Sequence, residues 1–222
     1  MAQLFPPYAN TLFRVAILGV VLGLPSLGIA ALVFVRSPYM TGSMDAKTQP
    51  IQFSHAHHVN GLGIDCRYCH TSAEEVAHSN VPPTKTCMNC HSQIWVGSKM
   101  LEPVRESFNT NTSIEWKRLH RLADFAYFNH SIHITKGIGC ASCHGRIDQM
   151  EEVYRVAPLS MGWCLECHRD PSSHLRPAGT KPTQMDWQPT AESIALAKKR
   201  LEWTGQTPPE LNPPTYCSAC HR

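Results

Sequence analysis

Ten cysteines fall into five pairs of one spacing, and each pair is followed at once by histidine. The motifs are Cys66-x-x-Cys69-His70, Cys87-x-x-Cys90-His91, Cys140-x-x-Cys143-His144, Cys164-x-x-Cys167-His168 and Cys217-x-x-Cys220-His221. No cysteine is left over. C-x-x-C-H is the attachment signature of c-type haem. Its two thiols add across the two porphyrin vinyl groups, and the adjacent imidazole becomes the proximal iron ligand. Other chemistries fit the count poorly. Structural zinc takes two C-x-x-C knuckles per ion, so five pairs leave one unmatched. A thioredoxin-like dithiol needs one pair beside a βαβ pattern. A disulfide scaffold has no reason to space every pair identically.

Eight further histidines could complete the iron sites: His55, His57, His58, His78, His120, His130, His133 and His174. Four of them sit in two copies of F-[SN]-H-x-x-H, Phe53 to His58 and Phe128 to His133. The spacing puts two imidazoles on one turn of chain, able to face different irons. His55, His58, His130 and His133 are therefore the leading distal candidates. His120, His174 and His78 rank behind them, and His57 ranks last. Met161, three residues before Cys164, is read first as packing against porphyrin and second as a ligand that would raise a haem's potential.

The motifs begin at 66, 87, 140, 164 and 217, a short–long–short–long rhythm. The first and third are offset by 74 residues, the second and fourth by 77, and the two F-[SN]-H-x-x-H words by 75. These offsets suggest tandem two-haem modules at about 50–127 and 128–205. A fifth haem follows at 206–222.

The elements that must position these groups are few. The expected fold is mostly irregular with short α-helices, packed around five covalent haems, plus one N-terminal transmembrane helix. Each C-x-x-C-H is expected to start or sit in a short helix. A longer helix is expected from Ala191 to Trp203, with Thr190 as N-cap. The Pro-rich stretches 177–189 and 205–216 read as extended wrapping, and the polar stretch 99–118 as a surface excursion. No strand pattern appears. Residues 15–35 carry no charge and are bracketed by Arg14 and Arg36. They match the roughly 20 residues that span a bilayer, and Pro25 is tolerable there. The stretch is too long for a signal-peptide core of about 7–15 residues, so an uncleaved anchor is expected. Haem attachment takes place outside the cytoplasm. Residues 1–14 are therefore placed on the cytoplasmic side, and the body 36–222 in the periplasm.

Composition agrees with a body short of core. Charged residues make up 17% of the chain, and its 42% apolar content is densest in the anchor. The formal charge is +3 with no basic stripe, which argues against nucleic-acid binding. Five haems would take that charge to roughly −2 when oxidised and roughly −7 when reduced.

The F-N-H-x-x-H word ahead of C-x-x-C-H resembles the class III multihaem cytochromes. By that resemblance His55 would serve the haem at Cys66 and Cys69, and His130 the haem at Cys140 and Cys143. His58 and His133 would reach other haems. The stretches GLGIDCRYCHTSAEEVAHSNVPPTKTCMNCHSQ, ADFAYFNHSIHITKGIGCASCHGRIDQM and PLSMGWCLECHRDPSSHLRP are similar to the pentahaem subunits of alternative complex III. Ala123 stands where that family usually has Pro, and His57 where it has another residue. The resemblance implies a single-pass subunit of the bacterial inner membrane that relays electrons from menaquinol and is not catalytic alone. It implies an iron–sulfur subunit, polytopic quinol-binding subunits and a monohaem cytochrome c as partners, besides membrane lipid. The alternatives are a free-standing quinol dehydrogenase cytochrome and a multihaem reductase with an open iron position.

Overall fold

The structure, a computed structural model, describes residues 5–202 and 210–221. It divides into two compact units, Met1–Ser43 and Met44–Arg222. The first holds helix α1 (Ala9–Arg36) and the short α2 (Pro38–Thr41). α1 has 28 residues, about 42 Å at about 1.5 Å per residue. By length and composition it can cross a membrane, with mean hydropathy 2.4 and no buried side chain. It begins six residues before the apolar stretch, because Asn10, Thr11 and Arg14 continue the helix back to the Pro6–Pro7 pair. Pro25 lies inside it, and Ser26 Oγ donates to Leu22 O at 2.7 Å. It stops at Ser37, in extended conformation (φ −65°, ψ 157°) before Pro38, where proline disfavours helix.

The second unit is built of short helices and loops. They are α3 (Cys66–Cys69), α4 (Thr84–His91), α5 (Glu102–Thr110), α6 (His130–Thr135), α7 (Ala141–His144), α8 (Met161–Arg169), α9 (Ala191–Leu201) and α10 (Cys217–Cys220). Among the described residues there is no strand, only the isolated bridges Ala126–His221 and Ile138–Leu175. Every C-x-x-C-H falls in or at the end of one of these helices. The stretch 99–118 differs from its reading as a plain excursion. It carries α5, which has Pro103 in its first turn and ends on Asn111 at φ 53°. α5 buries Val104 and Ser107, and Ser107 Oγ pairs with Thr84 Oγ1 of α4 at 2.6 Å. Beyond it, Gln49 clamps the main chain of Lys117, accepting at 2.9 Å and donating at 3.0 Å.

Apolar packing is thin. Among the described residues the buried hydrophobic side chains are Ile51, Val104, Met150, Ala157, Leu175, Met185, Ala197 and Leu211, and no large side chain is completely enclosed. The one cluster joins Leu175, Ala197 and Leu211, with Ile138 and Leu201 packed on it. Arg176 is buried beside it, its guanidinium 5.1 Å from the Trp187 ring centre and Nη1 donating to Lys181 O at 2.7 Å. Gly139 makes this possible, because a Cβ there would lie 2.0 Å from Arg176 Nε.

α9 ends at Leu201, before the end of its sequence expectation. Glu202 is extended at ψ 139°, and Trp203 lies outside the described residues. Its start is as expected. Thr190 Oγ1 accepts the Ser193 amide at 3.1 Å, and Ser193 Oγ accepts the Thr190 amide at 2.8 Å. This reciprocal cap fixes the helix that carries Ala197 into the cluster. Thr190→Ala removes one of the two bonds and should cost about 1 kcal/mol, read as a lower denaturation midpoint. Thr190→Ser should recover most of it. A Thr190→Ala protein with an unchanged midpoint would contradict the assignment.

Candidate haem sites

The F-[SN]-H-x-x-H word is a compact folding instruction, and both copies obey it alike. Ser54 Oγ accepts the His57 amide at 3.0 Å, and Asn129 Oδ1 accepts the Ile132 amide at 3.2 Å. The second position is thus a cap that turns the chain. The same residue's carbonyl accepts the Nδ1–H of the second histidine, His58 at 2.9 Å and His133 at 2.7 Å. Phenylalanine stacks on that histidine, Phe53 on His58 at 4.4 Å and Phe128 on His133 at 4.5 Å between ring centres. It meets the first histidine edge-on, with ring planes at 86° for His55 and 80° for His130.

Held this way, the second histidines face motif histidines. His58 lies 6.2 Å from His91, and His133 lies 6.0 Å from His168. His130 lies 6.4 Å from His144. An imidazole nitrogen ligates a metal at about 2 Å with its ring centre about 1 Å further back, so two rings flanking one metal sit about 6 Å apart. All three pairs fit that span. His55 lies within electrostatic range of His70.

The tautomers fit as well. Seven imidazoles direct Nδ1 at a main-chain carbonyl: His58, His70, His91, His130, His133, His168 and His221. A carbonyl only accepts, so Nδ1 carries the proton and Nε2 keeps its lone pair. Metal-binding histidines are oriented in this way. The acceptors are Asn80 for His70 (2.9 Å), Ile94 for His91 (3.2 Å), Pro214 for His168 (2.7 Å), Phe125 for His221 (3.2 Å) and Ala73 for His130 (2.7 Å). These carbonyls have no side-chain signature, so sequence reasoning could not find them.

Burial favours the neutral form of His55, His58, His133 and His144. Burial, reinforced by His120, His130, His70 and His55, pulls His144 down to about 3. Burial, then His70 and His58, pulls His55 down to about 4. Burial pushes the Cys140 thiol up to about 11 and Cys143 up to about 12. Cysteines that serve as exchange nucleophiles have lowered values instead. Among the described residues no three His, Cys, Asp or Glu side chains converge as a metal-ion site would require. The donor set suits haem, with paired thiols near a free imidazole lone pair and a second imidazole opposite.

The remaining candidates are placed differently. The His120 ring is 4.4 Å from His144, too close for one metal between them. Its Nε2 is sealed from solvent without a hydrogen-bond partner, as is His55 Nδ1. Such orphans are rare. Burial, then the Arg155 charge, lowers His120 to about 4. His78 and His57 are exposed, His174 is half-buried near Asp170, and Met161 is 65% exposed at the start of α8.

The first motif has a brace that sequence reading missed. Asp65 caps α3, accepting from the Arg67 amide at 2.9 Å, from Arg67 Nε at 2.9 Å and from Thr183 Oγ1 at 3.0 Å. An Asp immediately before the motif was the available signal. The Arg67 guanidinium holds the Asp65 carboxyl well below its usual 3.8. A depressed carboxylate stabilises the fold above its unfolded value and loses that contribution as pH falls toward its folded value. Asp65→Asn should therefore be less stable than wild type by a constant amount above about pH 5, and the gap should close below about pH 4. Denaturant unfolding across pH checks this, and a gap that widens in acid would contradict it.

Residues 63–222 match the family described as outer membrane cytochrome MtrC/MtrF-like, domains II/IV. The chain is also 33% identical over 118 residues to the "Menaquinone reductase, multiheme cytochrome c subunit" of Nitratidesulfovibrio vulgaris (strain Hildenborough). The alignment covers 52% of this chain and 55% of the relative, so the chain spans about half the length of that curated relative. The family match takes in all five C-x-x-C-H motifs, and the chain belongs to this MtrC/MtrF-like family of multihaem cytochromes with covalent c-type haem.

Proposed function

We propose that this chain is a membrane-anchored pentahaem cytochrome c that relays electrons as a subunit of a menaquinol:acceptor oxidoreductase of the alternative complex III type. The observation that carries the reading is the repeated pairing of His58 with His91 and His133 with His168 at one spacing, each stacked on its own phenylalanine. That repetition supports tandem modules at about 50–127 and 128–205, with a further site at 206–222. In this reading the ten motif cysteines hold five haems, and His70, His91, His144, His168 and His221 are proximal ligands. His58 and His133 are distal to the second and fourth haems, His130 to the third and His55 to the first.

Bound c-type haem supplies one-electron chemistry at potentials set by ligands and surroundings. The polypeptide's part is positional. Carbonyl acceptors hold the Nδ1 proton of seven imidazoles, the phenylalanines fix ring orientation in the two histidine words, and burial favours the neutral form of His55, His58, His133 and His144. The leading candidates furnish four distal imidazoles, which favours a relay over a reductase with open iron positions. α1 would anchor the chain in the inner membrane with the body in the periplasm, beside an iron–sulfur subunit, polytopic quinol-binding subunits and a monohaem cytochrome c.

The name of the Nitratidesulfovibrio relative favours a second reading, the same relay run toward menaquinone. Purification from native membranes in mild detergent separates these readings. The expected result is a large assembly with iron–sulfur and polytopic subunits, five haems on this chain, and menaquinol oxidation. Net menaquinone reduction would favour the second reading. A chain recovered alone that still oxidises menaquinol would be a free-standing dehydrogenase.

Ligand roles have a spectroscopic test. His58→Ala and His133→Ala should each convert one low-spin haem to high spin in the EPR spectrum of the oxidised protein, whereas His57→Ala should leave it unchanged. Low-spin spectra identical to wild type in the first two variants would refute the assignment.

A further inference from the structure

We propose that the five C-x-x-C-H sites stand in single file in the order second, first, third, fourth, fifth, so that outside redox partners reach the file at the second and fifth motifs. The inference rests on the pentahaem reading and adds the spatial order, which the chain order does not give.

Four junctions define the file. Asn89 Nδ2 of the second motif donates to Tyr68 Oη of the first at 3.2 Å. The Cys69 thiol lies within electrostatic range of Cys87 and Cys90. The turn bearing His55 and His58 serves both, since His58 faces His91 and His55 lies near His70.

The first motif then meets the third, 74 residues on. Cys66, His70 and Cys140 line one small cavity, with Ile134 of α6 and Thr183. His130, which faces His144, anchors its Nδ1–H on Ala73 O, just beyond the first motif. The His130 amide also donates to Ala77 O at 3.1 Å. The two modules are therefore joined through their first sites.

The third and fourth sites share α6, where His130 faces His144 and His133 faces His168 one turn away. The Cys143 thiol lies within electrostatic range of Cys164 and Cys167. The fourth site touches the lead-in to the fifth, because His168 Nδ1 donates to Pro214 O, three residues before Cys217. Cys164 lies within electrostatic range of Cys220.

Exposure marks the ends independently. Of the ten cysteines only Cys90 and Cys217 are exposed, one in the second motif and one in the fifth. A file in chain order would end at the first motif instead, whose two cysteines are both half-buried.

The test is an experimental structure of the full holoprotein with irons located by anomalous scattering, after mass spectrometry has counted its haems. Nearest-neighbour irons are expected at second–first, first–third, third–fourth and fourth–fifth. Five haems with the second iron nearer to the third than the first is would overturn the order alone. Fewer than five haems would overturn the pentahaem reading instead. A Cys66→Ala/Cys69→Ala holoprotein gives a second readout in solution. Redox titration should show the potentials of two remaining haems shifted by loss of an interior neighbour, and a file in chain order shifts only one.

Discussion

Outside its N-terminal helix this polypeptide buries too little apolar side chain to make a core. Among the described residues of the second unit only eight hydrophobic side chains are buried, two of them alanines. Burial of apolar area is the main force opposing the loss of chain entropy on folding, and here it falls far short. In a covalent multihaem cytochrome the porphyrins supply that bulk, and thioether attachment keeps it from leaving. The short helices follow from this. None is long enough to be stable by itself, so each needs a surface to pack against.

Local hydrogen bonding then does what a core does elsewhere. A capped turn, a stacked phenylalanine and an Nδ1–carbonyl bond orient the second histidine of each F-[SN]-H-x-x-H word before any distant partner arrives. Long-range carbonyls from Ala73, Phe125 and Pro214 then tie these turns and motifs to other parts of the chain. One set of bonds thus serves both folding and the orientation of the imidazoles. Removing an acceptor loop would loosen the fold and free the imidazole together.

Much of this was legible in the sequence. The five motifs, the two histidine words, the absence of strands among the described residues, the apolar N-terminal helix and the Thr190 cap were all visible, because each depends on side-chain type at short spacing. What depends on the main chain or on distance was not. The acceptors of Nδ1 are carbonyls that any residue could provide. α5 hid in a polar stretch, although Pro103 and Asn111 were fair signals for its two ends. The packing of Arg176 over Gly139 joins residues 37 apart that no local pattern links. The meeting of the first and third motifs is tertiary and has no sequence signature.

The claim that haem completes the core can be tested on the full chain with all ten motif cysteines changed to serine, so that no haem attaches. Amide hydrogen exchange in detergent would be compared with the haem-bearing protein. The account predicts slow exchange in α1 for both proteins, and protection across 44–222 only in the haem-bearing one. Equal protection of that region in the serine variant, with a cooperative melt, would show that the polypeptide builds its fold unaided and would contradict the account.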